Sequence, residues 1–275
     1  MLAGQRQKRI LDEVLRRSAI RVSELTELLG VSDMTIRRDL DVLASAGLID
    51  KVHGGATAPG RLSADEPGFE AKSHRQLDEK EEIARAASSL VEPGQAIGLT
   101  AGTTTWRLAH FLVDVPDLTV VTNSIQVANV LHGVQRPDLT VILTGGVRTP
   151  SDALVGPVAV ATLRALHVDL LFLGVHGMSD DGFSTPNLLE GETDRAHLAS
   201  AERAVVVADH TKWGVRGLSR IARLEEAHAL VTDAHLPDEA RGILAEHIDQ
   251  VIVAPVDGAP VGRGGGSRRT RTGTA

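Results

Sequence analysis

Ser32, Thr35, Arg37 and Arg38 lie in the stretch Val31-Ser32-Asp33-Met34-Thr35-Ile36-Arg37-Arg38-Asp39-Leu40, where their side chains can meet a DNA duplex. A guanidinium can pair bidentately with the edge of guanine, and hydroxyls in the first turn of a helix reach phosphates and base edges. A second group of polar stretches follows apolar runs. These are Thr100-Ala101-Gly102-Thr103-Thr104-Thr105, Thr122-Asn123-Ser124, Gly145-Gly146-Val147-Arg148, His176-Gly177-Met178 with Ser184-Thr185-Pro186, and Asp209-His210-Thr211-Lys212-Trp213-Gly214. A glycine, hydroxyls and free backbone N–H groups at a helix start cradle a phosphate or carboxylate, and Lys212 and Arg148 can supply counter-charge. Taken singly, Gly-Thr-Thr or Asn-Ser is equally an ordinary helix cap, and an arginine pair is equally a solvated face.

The elements that position the first group follow from periodicity and punctuation. Ser23 and Ser32 each stand before an apolar-periodic run and are expected to cap a helix. The first helix buries Leu25, Leu28 and Leu29 and ends at Gly30, which takes a left-handed corner cheaply. The second carries Ile36, Leu40 and Leu43 inward, leaving Thr35, Arg37 and Arg38 on or beside its outer face, and is expected to end at Gly47. Leu48 to Ala56 then alternates around Gly54-Gly55, the pattern of a hairpin, with Lys51 and His53 as further DNA-contacting candidates on this wing. Gln5 to Ser18 is a supporting helix whose Arg6, Lys8, Arg9, Arg16 and Arg17 either face solvent or touch flanking phosphates.

The second group needs a sheet. Apolar runs at Ala96–Leu99, Leu118–Val121, Leu139–Leu143, Asp169–Gly174, Ala204–Ala208, Ala229–Val231 and Gln250–Val253 alternate with helical stretches. Such runs are strands buried on both faces, so the fold class is α/β with a mostly parallel sheet behind a small winged helix. Ligands of such sheets bind outside the carboxyl ends of the strands, where every polar stretch falls. The candidate effector-binding residues are therefore Gly102, Thr103, Thr104, Thr105, Asn123, Ser124, Gly145, Gly146, Arg148, His176 and Lys212. Composition divides the chain into a winged helix-turn-helix over 1–57, a Pro/Gly/Ser-rich linker over 58–75, an α/β domain over 76–255 and a disordered basic tail over 256–275.

A net charge of -7 argues against a nucleic-acid binder only if it is spread evenly, and it is not. Residues 1–57 hold nine Lys/Arg against eight Asp/Glu, so the acid sits in the middle domain. With no cysteine there is no disulfide, thiolate metal site or thiol switch. The chain has no long apolar run or signal-peptide core and is expected in the cytoplasm. It lacks a Walker lysine loop, a strand-flanked Gly-x-Gly-x-x-Gly and a helical histidine pair, so no nucleotide cofactor and no metal is expected.

Val31-Ser32-x-x-Thr35-Ile36-Arg37-Arg38-Asp39-Leu40, followed by Val52-His53-Gly54-Gly55-Ala56, resembles the signature of DeoR-family bacterial transcription regulators. The resemblance implies a sensor domain similar in fold to ribose-5-phosphate isomerase and glucosamine-6-phosphate deaminase. In it Gly102 to Thr105 would hold a phosphate, Asn123 and Ser124 would face a sugar, and Lys212 would close over the ligand. The implied partners are operator DNA, a phosphorylated sugar or related anionic effector, and a second copy of the chain; the implied role is repression of a carbon-metabolism operon. Thr100 and Asp194 depart from the family pattern, which usually has Asp and often Lys at those places. An isomerase- or deaminase-like enzyme is the alternative, but the acidic residue such enzymes carry after the strand 169–174 is replaced here by Gly174-Val175-His176-Gly177.

Overall fold

The computed structural model describes residues 2–17, 19–46, 48–52, 54–57, 62–63 and 68–255; Gly47, His53 and the tail 256–275, each singled out from the sequence, lie outside them. The first domain comprises α1 (Ala3–Arg17), β1 (Ala19–Arg21), α2 (Val22–Leu29), α3 (Asp33–Ser45), β2 (Asp50–Val52) and β3 (Gly55–Thr57). Ile10, Val14, Ile20, Leu25, Ile36, Leu40 and Ile49 close into one buried core. Gly30 has φ 63° and its N–H returns to the Thr26 carbonyl at 3.0 Å, making the corner between α2 and α3.

Ser32 caps α3 as expected, but Ser23 does not cap α2. That helix starts at Val22, two residues earlier than a Ser23 cap implies, and the Glu24 carboxylate accepts the Arg21 N–H at 2.9 Å in place of a serine cap. In the wing, β3 lies between β1 and β2, all antiparallel. A side chain at Gly55 would put Cβ 2.3 Å from the Ile20 carbonyl oxygen, so this glycine permits the close approach of β1, while Gly54, at φ 79°, serves the turn. Arg6 is neither solvated nor left for phosphate: its guanidinium pairs with Asp39, which is 3 % exposed and also accepts from Gln7 Nε2 at 3.0 Å. This pair bolts α1 to α3.

The second domain begins inside the stretch expected to be linker. β4 (Leu62–Ser63) and α4 (Phe69–Ser73) lead into α5 (Leu77–Ser88), β5 (Ala96–Leu99), α6 (Thr103–Leu112), β6 (Thr119–Thr122), α7 (Ile125–His132) and β7 (Thr140–Leu143). Next come β8 (Val147–Arg148), β9 (Leu154–Val155), α8 (Pro157–Arg164), β10 (Val168–Gly174), β11 (Gly177–Ser179), β12 (Gly182–Thr185) and α9 (Leu188–Ser200). β13 (Ala201–Val207), β14 (Arg216–Gly217), β15 (Ser219–Ala222), β16 (Ala229–Thr232), α10 (Asp238–His247) and β17 (Gln250–Val253) complete it.

All seven expected apolar runs are strands of one parallel sheet, in the order β17-β16-β13-β10-β5-β6-β7. Along β10, Leu170 and Phe172 enter the core on one face, and Leu171 and Leu173 enter the core on the other. Both faces are covered, which is why the runs are continuously apolar. Strand order reverses between β5 and β10, so the connections leave in opposite directions and open a crevice at the carboxyl ends. A small antiparallel sheet, β11-β12-β15, stands beside that crevice and was not expected from periodicity. β4 pairs with β14 in parallel, and Phe69 sets its ring edge-on to Trp106 at 5.6 Å, fastening the start of the domain to its body.

Replacing Asp39 with alanine leaves a guanidinium without its carboxylate at the α1–α3 contact. Amide hydrogen exchange in α1 and α3 should then quicken by roughly tenfold or more, the cost of losing a charged hydrogen bond. Amides of the parallel sheet should keep their protection; a uniform loss in both domains would refute the local role.

Candidate functional site

The outer face of α3 brings the DNA candidates together. Ser32 Oγ lies 2.9 Å from Thr35 Oγ1 and accepts the Thr35 N–H at 3.3 Å, so both hydroxyls sit at the helix start. Arg37 pairs with Asp33 at 2.5 Å with both side chains exposed, and Lys51 of β2 pairs with Asp41. Such exposed pairs are weak, so either cation can exchange its carboxylate for a phosphate. Arg38 is exposed and makes no ion pair with a described residue. Met34, 81 % exposed on the same turn, was overlooked from sequence; its apolar end suits the methyl group of thymine.

The second site fills the crevice between β5 and β10. The Gly174 N–H donates to Thr100 Oγ1 at 2.9 Å, tying the two strand ends together. Asn123 holds the neighbouring loops: its Oδ1 accepts the Ala101 N–H at 2.9 Å and its Nδ2 donates to the Leu154 carbonyl at 3.2 Å. α6 begins directly after Gly102 with no side-chain cap, so its first-turn N–H groups remain available. Around that helix start the cavity is lined by Gly102, Thr103, Thr104, Asn123, His176 and Lys212, six of the eleven residues expected there, together with Lys72, Lys80, Ser151, Thr185, Glu190 and Asp194.

The other five face elsewhere. Thr105 is fully buried and its hydroxyl donates to the Gly102 carbonyl at 3.0 Å, while Ser124 caps α7 by accepting the Val127 N–H at 3.2 Å. Gly145 and Gly146, at φ 73° and 119°, turn the chain into the β8–β9 hairpin, and a Cβ at Gly146 would stand 2.5 Å from the Val155 carbonyl oxygen. Arg148 extends along the outside of that hairpin and pairs with Asp152 at 2.5 Å. What the hairpin sends to the cavity instead is Ser151, which accepts from Lys72 Nζ at 2.8 Å.

Two lysines were missed. Lys80 had a signal: it stands three residues before Ile83 and seven before Ala87, on the buried stripe of α5, where a lysine needs a reason to be. It is 3 % exposed and donates to the carbonyls of Lys72 at 2.8 Å and Arg75 at 2.6 Å. Lys72, on the five-residue α4, offered no pattern from which to read its position.

Residues 6–61 match the family model of the DeoR-like helix-turn-helix domain, and residues 75–234 match that of the DeoR C terminal sensor domain. The chain belongs to the DeoR family. It is 36 % identical over 255 residues to the uncharacterized HTH-type transcriptional regulator YgbI of Escherichia coli (strain K12), covering 92 % of this chain and 99 % of that protein. It is also 32 % identical over 253 residues to the glycerol-3-phosphate regulon repressor of the same strain, covering 90 % and 97 %. A solved ribose 5-phosphate isomerase from Methanocaldococcus jannaschii aligns over 50 % of this chain and 54 % of its own at 18 % identity, with a TM-score of 0.37. This DeoR-family chain is a DNA-binding transcription regulator. No helix among its described residues is long and apolar enough to cross a membrane.

The sensor cavity of this DeoR-family protein is lined by both cations and acids. Burial, with Lys212, Lys72 and Arg75 nearby and only Asp209 opposing, lowers Lys80 from 10.5 to about 8. Burial and the same two pocket lysines lower His176 to about 3, so its ring is neutral. In the same cavity Glu190 accepts the hydroxyls of Thr149 at 2.8 Å and Thr185 at 3.3 Å, and Thr149 Oγ1 in turn accepts the N–H of Ser151, the partner of Lys72. Burial and the Glu190 charge raise Asp194 well above the usual carboxylate range, which favours its neutral, hydrogen-bond-donating form. The cavity therefore offers cations suited to an anion and carboxyl groups suited to hydroxyls.

Lys80 fixes the pH behaviour. The unfolded chain holds this proton up to about 10.5 and the folded chain only to about 8, so the unliganded protein should gain stability as pH rises between those values. An anion beside the ammonium favours the charged form, so anion affinity should be fully present below about 8 and fall above it. Calorimetric titration with sulfate, whose own charge is constant there, should show weakening of up to about tenfold per pH unit. In Lys80→Met the slope should vanish, and an unchanged slope would assign it to another group.

Proposed function

We propose that the protein is a cytoplasmic repressor that binds operator DNA as a homodimer and is released or modulated by a phosphorylated sugar or polyol. The observation that carries this reading is the meeting of Lys72, Lys80 and Lys212 with the uncapped start of α6 in one cavity. A phosphate there gains backbone N–H donors, a helix dipole and several cations at once. Glu190 and Asp194, whose neutral form burial favours, line the same cavity and offer acceptors and a donor to hydroxyl groups. Support for repression comes from relatives whose names include a glycerol-3-phosphate regulon repressor and a putative aga operon transcriptional repressor.

Binding without turnover is the part of this reading that sets it against an isomerase. Proton transfer beside a carbonyl needs a base with a free lone pair in the cavity. His176 is too weak a base at about 3, burial favours the neutral form of Asp194, and Glu190 is engaged by two threonine hydroxyls. Asp180 and Asp181, near the strand end in sequence, are exposed and pair with Arg216 at 2.6 and 2.8 Å.

The route to DNA runs through the chain between the domains. β4 pairs with β14, four residues beyond Lys212, and α4 carries Lys72. A ligand that draws both lysines inward pulls on the two ends of this fastening, and it can shift DNA affinity only as far as it prefers one arrangement of the winged helices.

Fluorescence anisotropy of labelled DNA from upstream of the protein's own gene, at fixed salt, tests the scheme. A panel of sugar and polyol phosphates should include one compound that weakens specific binding. Arg38→Ala should cost DNA affinity about 1–3 kcal/mol while leaving effector binding intact. Lys212→Ala should retain DNA binding and lose the response, and turnover of any panel member would favour the enzyme instead.

A further inference from the structure

Behind the sensor cavity, Glu79 in the first turn of α5, His210 after β13 and His235 after β16 each offer one ligand atom, all within 4.8 Å of one another. His235 Nδ1 lies 3.7 Å from Glu79 Oε1 and 3.3 Å from Asp233 Oδ1, and His210 Nδ1 lies 2.9 Å from that same Asp233 oxygen. The imidazole rings are 5.2 Å apart. Ligands held at about 2.0–2.1 Å from a common ion in a four-coordinate site are themselves separated by roughly 3.3 Å. The Glu79–His235 spacing of 3.7 Å is close to that value, and the group as a whole, within 4.8 Å, reaches it by a contraction of up to about 1.5 Å.

The supporting shell is also in place. Asp233 is 4 % exposed, and its carboxylate is fixed by the backbone N–H groups of His210 at 2.8 Å and His235 at 2.9 Å. A carboxylate bonded to one ring nitrogen sets the tautomer and leaves the other nitrogen for a metal, the arrangement recurrent around protein-bound zinc. No helical histidine spacing announces the group, because its members come from three segments that only the folded sheet brings together.

We propose that Glu79, His210 and His235 form a divalent metal site of the zinc class, with Asp233 as the residue that positions His210. Imidazole and carboxylate together favour zinc and its first-row neighbours over magnesium, which prefers an all-oxygen shell. Glu79 adjoins Lys80, and His210 stands two residues before Lys212, so an ion here fixes both segments that carry cavity lysines. The ordinary rival is a bare ion-pair network among the same side chains, which needs no metal.

Calorimetry on the full chain, freed of metal with a chelator, distinguishes them. Zinc should bind saturably, one ion per chain, with magnesium failing to compete, and cobalt(II) should give the strong visible bands of a four-coordinate site. His235→Ala, at an exposed ligand whose loss spares the core, should abolish that binding, and Asp233→Asn should weaken it about 10- to 100-fold with far-ultraviolet dichroism unchanged. His247→Ala, remote and paired with Glu225, should bind as the parent does. Absence of saturable zinc binding in the parent, or binding indifferent to both His235→Ala and Glu79→Gln, overturns the assignment.

Discussion

The bond from the Gly174 N–H to Thr100 Oγ1 joins β5 to β10 at the place where strand order reverses. A parallel sheet with helices on both faces has one such place where neighbouring connections diverge, and it is the natural home for a ligand. Thr100 is completely buried there, and a threonine hydroxyl can hold the Gly174 amide without adding charge. The family pattern expected from sequence has a carboxylate at this position. With threonine here, the helix start of α6 faces a cavity that also holds Lys72, Lys80 and Lys212.

Those cations are the cost of the design. An ammonium that is 3 % exposed is destabilising unless something compensates, and two carbonyl acceptors compensate Lys80 only in part, as its depressed pKa of about 8 records. The empty pocket is therefore the less comfortable state. An anion relieves the mutual repulsion of Lys80, Lys72 and Lys212, so binding energy is available for moving the segments that carry them. One of those segments is fastened to β4, the last described stretch before α4 and the nearest in sequence to the wing.

Most of the fold was legible because it obeys short-range rules. Gly30, Ser32 and the Ile36, Leu40 and Leu43 stripe are local signals of a helix-turn-helix, and each takes its expected place. The seven strands read out because both faces are buried, which makes the runs continuously apolar. Ser23 misled because Glu24, four residues into the same segment when counted from Arg21, reaches back to the free amide more effectively than a serine placed one residue inside the helix. The site was half legible for a related reason. Residues that end strands of the switch point, such as Gly102, Thr104 and His176, could be placed by their position after an apolar run, whereas Lys72 and Ser151 arrive from an N-terminal helix and a hairpin by contacts that no sequence spacing encodes. Arg148 is the converse case: it follows an edge strand, two places from the reversal, and too far along the sheet to reach the crevice.

Asp194 brings these threads together. From sequence it stands as an acid where the family often has a cation, which by itself would make an anion pocket less favourable. Burial beside Glu190 eases that difficulty by favouring the neutral form of Asp194, a donor and acceptor without charge. Lys80, Lys72 and Lys212 line the same cavity and supply its cations. An anionic group of any ligand would meet the helix start in the same way, so Glu190 and Asp194 are the acidic side chains of the cavity left to distinguish the rest of the molecule.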